Sequence, residues 1–162
     1  MTAGPVAVDL DGALGDTRAL WRDFLEDAAR RFSSIAPLDP SALPDDRVAA
    51  AEILDRWAAA GIGDWRGQLE RFAEDHAPVY LRPRADASAA LRSLASAGRR
   101  IGAYTDAPEE LARVALSHLG AARRVEILET GAGARQRLLM RLGQGAVVAG
   151  TPEELVTILN DA

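Results

Sequence analysis

Short apolar runs and amphipathic stretches alternate over much of this chain. Four runs read as buried β-strands bounded by turn residues: residues 5–10, 100–105, 124–129 and 146–150. Pro5 suits the first position of a strand, where a missing N–H is tolerated. Between the last three runs the apolar period changes to that of a helix. Residues 83–97 place Ala87, Ala90, Leu91 and Leu94 on one face, and Gly98 stops them. Residues 107–119 carry Leu111, Val114, Ala115 and Leu119, with Pro108 near the start and Gly120 after the end. Ala134–Leu142 is a shorter amphipathic helix ended by Gly143, and a last helix runs from about Pro152 to Leu159. Strands alternating with helices predict an α/β fold with a Rossmann-like parallel sheet and right-handed crossovers. The first strand is expected in the middle of that sheet, between the second and the fourth.

Residues 17–82 break the alternation and read as helical throughout. Arg18–Phe32 puts Leu20, Trp21, Phe24, Leu25, Ala28 and Phe32 on one stripe. Residues 45–60 carry Val48, Ile53, Leu54 and Trp57. Residues 64–77 carry Trp65, Leu69 and Phe72, with Asp64 as N-cap. A proline-rich connector, residues 36–44, separates the first two. All three tryptophans lie in this block, at spacings that report a core of its own. The predicted organisation is an α/β core from residues 1–16 and 83–162, with residues 17–82 as a helical insertion. Because the insertion follows the first strand, it sits at the carboxyl end of the sheet, where open α/β folds bind ligands. It would act as a lid.

At 162 residues the chain holds one modest domain, or one core plus a small insertion, and its 48% apolar content suffices for a core. The net charge of -5 and the lack of any long basic run argue against a nucleic-acid surface. No stretch has the length of a membrane span and the start lacks a signal-peptide shape, so the expectation is a cytoplasmic protein. There is no cysteine, which excludes thiolate metal sites and disulfides. All 19 basic residues are arginine, so any site needing a fixed cation must use a guanidinium.

The chemistry is concentrated at Asp9-Leu10-Asp11-Gly12, where the first strand ends. Carboxylates at i and i+2 of a strand point to one face, and two converging acids are costly unless a cation or a reaction needs them. A polar turn explains the composition but not the pairing. A calcium loop fails, because its sixth and twelfth positions would be Leu14 and Leu20. Gly12 and Gly15 do not make a dinucleotide fingerprint.

Residues 9–17, Asp-Leu-Asp-Gly-Ala-Leu-Gly-Asp-Thr, resemble the first motif of the haloacid-dehalogenase-like (HAD) hydrolases. The likeness extends along nearly the whole chain. Leu81-Arg82-Pro83 resembles the lead into that family's second strand, residues 101–108 resemble its second motif, and the helical insertion stands where the family's C1 cap stands. The resemblance implies a phosphohydrolase acting on a small phosphorylated metabolite, with phosphoglycolate-type monoesters fitting best. Asp9 would be the nucleophile that forms an aspartyl-phosphate, and Asp11 the acid/base. Mg²⁺ would bind the Asp9 carboxylate and the Asp11 main-chain carbonyl. Gly12, Thr105 and Asp106 would border the phosphate, Thr105 by its hydroxyl and the neighbouring main chain by its N–H groups. Thr105 and Asp106 also suit helix capping, with Asp106 and Glu109 at capping-box spacing.

Two later motifs depart from the family's pattern. The third motif's lysine is absent, and Arg135 is the best positional substitute, with Arg137 and Arg141 as competitors and a solvated helix arginine as the bland alternative. In the fourth motif an acid is replaced by Thr151 or lost. Glu154, or Glu153, could supply the remaining metal ligand, yet Thr151-x-x-Glu154 is equally a capping box with Pro152 at the first helical position. A catalytically impaired relative that binds a phosphate or a partner is therefore the alternative, and a dehalogenase with Asp9 as nucleophile is a third reading.

Overall fold

The structure is a computed structural model that describes residues 3–32 and 40–161. Four parallel strands form one sheet in the order β3-β2-β1-β4: β1 (Val6–Asp9), β2 (Ile101–Thr105), β3 (Ile127–Thr130) and β4 (Val147–Ala149). The first strand is thus flanked by the second and fourth, as its apolar sequence requires. Val6 and Val8 face one side of the sheet and Ala7 the other, and all three are fully buried.

Helices cover both faces. Val6, Val8 and Leu10 pack with α4 (Ala85–Ser96), α5 (Glu109–His118) and α7 (Pro152–Asn160) through Ala90, Leu94, Ala115 and Leu155. Ala7 and Ile127 pack with Leu138 and Leu142 of α6 (Ala134–Leu142). Gly102 permits that second layer, since a Cβ there would lie 2.4 Å from the Leu138 side chain. Truncating Leu138 to alanine would cost about 2–5 kcal/mol.

The insertion contains α1 (Arg18–Phe32), α2 (Arg47–Ala59) and α3 (Trp65–Tyr80). Their apolar faces form a separate cluster around Leu20, Phe24, Leu69 and Phe72, completed by Ala107 and Leu111 at the start of α5. Trp21 and Trp65 are buried in it and meet edge to face. The insertion docks on the α/β layer through this apolar seam and through an Arg66–Glu110 ion pair of 3.2 Å.

Several local expectations are corrected. The third strand starts at Ile127 rather than at residue 124, because residues 122–124 turn and Val125 N–H bonds back to the Ala121 carbonyl. Helix α3 passes Pro78 and ends at Tyr80; in the last turn the proline removes only one donor, and Leu81 N–H closes the helix on the Ala77 carbonyl. Helix α5 begins at Glu109 with Pro108 as N-cap and no side-chain cap, so Asp106 and Glu109 do not form a capping box. Asp46 and Asp64 do cap α2 and α3, accepting from Val48 N–H at 2.9 Å and Gly67 N–H at 3.1 Å. Residues 36–39 of the proline-rich connector lie outside the described residues.

Candidate active site

Asp9 ends β1, and the chain leaves it through a single π-helical turn, Leu10–Leu14. Parallel pairing sets Asp9 beside Tyr104, so Thr105 emerges at the same carboxyl edge. The turn itself folds under Asp9: Gly12 N–H donates to Asp9 Oδ1 at 3.2 Å. Gly12 must lack a side chain, since a Cβ would lie 2.2 Å from the Gly150 carbonyl oxygen in the loop after β4. Asp9, Asp11, Gly12, Thr105 and Asp106 therefore lie together at the carboxyl edge of the sheet.

Asp11 is bonded at both oxygens. Its Oδ1 accepts from Thr17 N–H at 2.9 Å and the Thr17 hydroxyl at 2.5 Å. Its Oδ2 accepts from the Thr105 hydroxyl at 2.7 Å and from Arg47 Nη2 at 2.8 Å. Thr105 Oγ1 in turn accepts from Ala107 N–H at 3.1 Å. Asp106, expected as a phosphate-bordering residue or a cap, uses its carboxylate on Arg47, at 2.5 Å from Nη2 and 2.9 Å from Nε. Arg47 Nη1 also donates to Thr17 Oγ1 at 2.6 Å.

Arg47 and Thr17 are the two site residues that sequence reasoning did not assign. Arg47 is the first residue of α2 and is only 4% exposed. The signal was present in the sequence: Arg47, Ala50 and Leu54 share one helical face, so an arginine stands on the apolar stripe. It also stands at a helix N-terminus, where a cation opposes the macrodipole. Both placements disfavour arginine unless carboxylates meet it.

The two carboxylates are tuned in opposite directions. Burial, with the nearby charges of Asp11 and Asp106, pushes Asp9 above the ordinary carboxylate value, against the N–H groups of Gly12 and Asp11. Burial also acts on Asp11, but the Arg47 guanidinium and the Thr17 and Thr105 hydrogen bonds outweigh it and hold Asp11 below that value. Among the described residues Asp9 makes no ion pair.

Arg135 and Glu154 do not bond to either aspartate. Both carry charges that reach Tyr104, the strand neighbour of Asp9, whose hydroxyl is pushed up by burial and by Asp9, with Arg135 opposing. Arg135 is exposed, whereas Arg137 and Arg141 are taken by Glu129 at 3.0 and 2.9 Å. Of the three arginines on α6, Arg135 is the one with no hydrogen-bond or ion-pair partner among the described residues. Glu154 turns back to cap its helix, accepting from Gly150 N–H at 2.7 Å while Thr151 Oγ1 accepts from Glu154 N–H at 3.1 Å.

The donor set bears directly on a metal. Among the described residues no three acidic, histidine or cysteine side chains converge as a metal-binding group. What remains for Mg²⁺ is the Asp9 carboxylate and the Asp11 main-chain carbonyl. This fits an ion held mainly by water and substrate phosphate rather than a protein cage.

A cavity of about 550 Å³ lies within the insertion, between α1 and the residues leading into α2, with apolar walls from Trp21, Leu25, Leu43 and Pro44 and charges of both signs, Arg18 and Arg22 beside Glu26 and Asp45. Arg47 and Asp106 also line it, and neither Asp9 nor Asp11 does. Asp11 and Gly12 open instead on a separate cleft of about 340 Å³ with Tyr80, Arg82 and Arg84.

No family model and no curated protein matches the sequence. Solved structures do match the fold. An HAD phosphatase from Thermococcus onnurineus superposes with a TM-score of 0.50 at 20% identity, covering 79% of this chain and 62% of that one. The chain thus spans less than two thirds of that phosphatase. A putative beta-phosphoglucomutase from Thermotoga maritima superposes with a TM-score of 0.55 at 15% identity, covering 98% and 99% of the two chains. The fold is HAD-like: a parallel Rossmann-type sheet flanked by helices, with a helical block after the first strand.

Proposed function

We propose that this protein is a phosphohydrolase of the C1-capped, phosphoglycolate-phosphatase-like kind, acting on a small phosphorylated metabolite through an aspartyl-phosphate on Asp9. The observation that carries this reading is the division of labour between two adjacent carboxylates. Asp9 is free of ion pairs and half-exposed at the sheet edge, whereas Asp11 is held by four hydrogen bonds. A nucleophile needs an oxygen that an incoming phosphoryl group can reach, which Asp9 offers; Asp11 is oriented by its hydrogen bonds, but beside Arg47 it rests as the carboxylate and acts as an acid only once that contact is given up and it has taken a proton. Attack by an Asp9 oxygen on phosphorus breaks the bond to the leaving oxygen, which takes a proton from Asp11. Asp11 then accepts a proton from the water that hydrolyses the acyl phosphate. Thr105 Oγ1 and the main-chain N–H groups beside it line the position of the phosphoryl oxygens. Arg135 supplies positive charge at the rim in place of a lysine. Bound Mg²⁺ would screen the approach of the two anions. Residues 17–82 serve as the cap.

A Mg²⁺-dependent screen of phosphate monoesters, run on wild type beside Asp9→Asn, tests this. Hydrolysis by wild type that disappears in Asp9→Asn is the expected result. Activity that survives the substitution sinks the mechanism. A binding module without turnover is the second reading, favoured by the saturation of Asp11 with donors and by the short metal donor set. It predicts no hydrolysis of any monoester and no heat on Mg²⁺ titration.

A further inference from the structure

Tyr104 stands one strand across from Asp9, at the same level of the sheet. The two side chains also share a face. Ala7, two residues before Asp9, packs toward α6, and Tyr104 packs against the same cluster of Ala7, Ile127, Leu138 and Leu142. Paired strands lie about 4.8 Å apart, so the two side chains rise side by side. Gly102 lets α6 close on this face, and α6 begins with Ala134 and Arg135 at the carboxyl edge. The Tyr104 ring is half-buried in that layer, whereas its hydroxyl has no hydrogen-bond partner among the described residues.

We propose that the Tyr104 hydroxyl is a further donor of the active site, bonding an oxygen of the phosphoryl group that Asp9 attacks. The phenol keeps its own proton throughout. Taking the bound group to be phosphoryl rests on the hydrolase reading.

Two hydroxyls stand at the end of β2, and only one is free to donate. Thr105 gives its proton to Asp11 at 2.7 Å, and its oxygen accepts from Ala107 N–H at 3.1 Å. Successive strand residues point to opposite faces, so Thr105 and Tyr104 flank the strand end from its two sides. Three charges reach the Tyr104 hydroxyl: those of Asp9 and Glu154, which with burial push it up, and that of Arg135, which opposes them. Neither nearby carboxylate takes its proton. Asp9 Oδ1 accepts from Gly12 N–H at 3.2 Å, and Glu154 is turned onto Gly150 N–H at 2.7 Å. A phosphoryl group at Asp9 would bring acceptor oxygens to this unspent donor, in a place where water competes poorly. The chain has no lysine, so a neutral hydroxyl with Arg135 nearby is what this face offers an anion. A packing role would need only the aromatic ring, which phenylalanine also supplies.

Tyr104→Phe separates the hydroxyl from the ring. Its melting temperature should equal or exceed that of wild type, because the lost hydroxyl had no partner; a clear fall assigns the hydroxyl to the fold and overturns the proposal. On a monoester that wild type turns over, kcat should drop by about tenfold to a hundredfold while KM stays within about twofold, the pattern of a contact made in the transition state. Orthovanadate, which mimics the transferring group, should bind more weakly by a similar factor in titration calorimetry. The chain has two tyrosines, so protein labelled with 3-fluorotyrosine gives two fluorine resonances, and the one missing from Tyr104→Phe belongs to Tyr104. Orthovanadate in magnesium-containing buffer should shift that resonance. An unmoved Tyr104 resonance, or equal orthovanadate affinity in the two proteins, overturns the proposal. If no monoester is hydrolysed, the hydrolase reading falls and the two orthovanadate measurements alone decide on Tyr104. Asp9-dependent hydrolysis that Tyr104→Phe leaves intact does the reverse: it keeps the hydrolase and removes Tyr104 from the site.

Discussion

Replacing Arg47 by methionine removes the cation that two carboxylates share while keeping most of the apolar stem. Truncating one partner of a buried ion pair costs about 3–5 kcal/mol, because the other charge stays behind in a poorly solvated place. Asp11 fits that description, with a side chain only 12% exposed. Asp106 does not, and its arm adds less than about 1 kcal/mol. The loss near neutral pH is therefore about 3–5 kcal/mol, set by Asp11. Its pH dependence follows from the direction of the Asp11 shift. A carboxyl held below its unfolded value of 3.8 contributes stability that is complete above that value and fades as pH falls below it. Wild type and Arg47→Met should thus differ most near neutral pH and converge in acid, where Asp11 is protonated in both. Urea unfolding followed by tryptophan fluorescence, at neutral pH and in steps down into acid, reads both quantities. A difference below about 1 kcal/mol at neutral pH, or one that does not shrink in acid, refutes the assignment of Arg47 as the buried counter-ion of Asp11.

Other consequences are more local. Asp9 is raised above its unfolded value, so its ionisation weakens the fold as pH climbs through the shifted value; Asp9→Asn should leave thermal stability equal or higher at neutral pH while hydrolysis is lost, as melting curves and assays of the same sample will tell. Gly12→Ala drives a methyl group into the Gly150 carbonyl and should cost about 1–3 kcal/mol with loss of activity, measured by chemical denaturation. Arg135→Ala should move stability by less than about 0.5 kcal/mol yet lower kcat; unchanged kcat would return Arg135 to the solvated surface.

The sheet was legible because its strands are short apolar runs with only one sensible place in a parallel layer. Val6-Ala7-Val8 is buried on both faces, and that alone makes it central. Asp9 and Thr105 were legible for a related reason: residues at strand ends are placed by the sheet, whose register the apolar pattern sets. Asp11 lies past the strand, in the π-helical turn, so strand alternation does not place it; Thr17, Thr105 and Arg47 do. Arg47 was not, because its position depends on how α2 docks against the sheet, a long-range contact that no local pattern encodes. The capping reading of Asp106 failed for the same cause, since a carboxylate at capping spacing is locally indistinguishable from one that a distant arginine has claimed. Glu154 shows the opposite case. Its capping geometry is local, so both the Thr151 cap and the turn of Glu154 back toward Gly150 N–H could be read from the spacing.

The central claim is that Asp9 carries the phosphoryl group, and it is open to direct chemical observation. The protein would be mixed with a phosphate monoester that it turns over, quenched in acid within the first turnover, digested and examined by mass spectrometry. The account predicts one phosphoryl group on the peptide containing Asp9, removed by hydroxylamine and absent from Asp9→Asn. Turnover with no acyl phosphate on that peptide, or with the phosphoryl group on another residue, would contradict it.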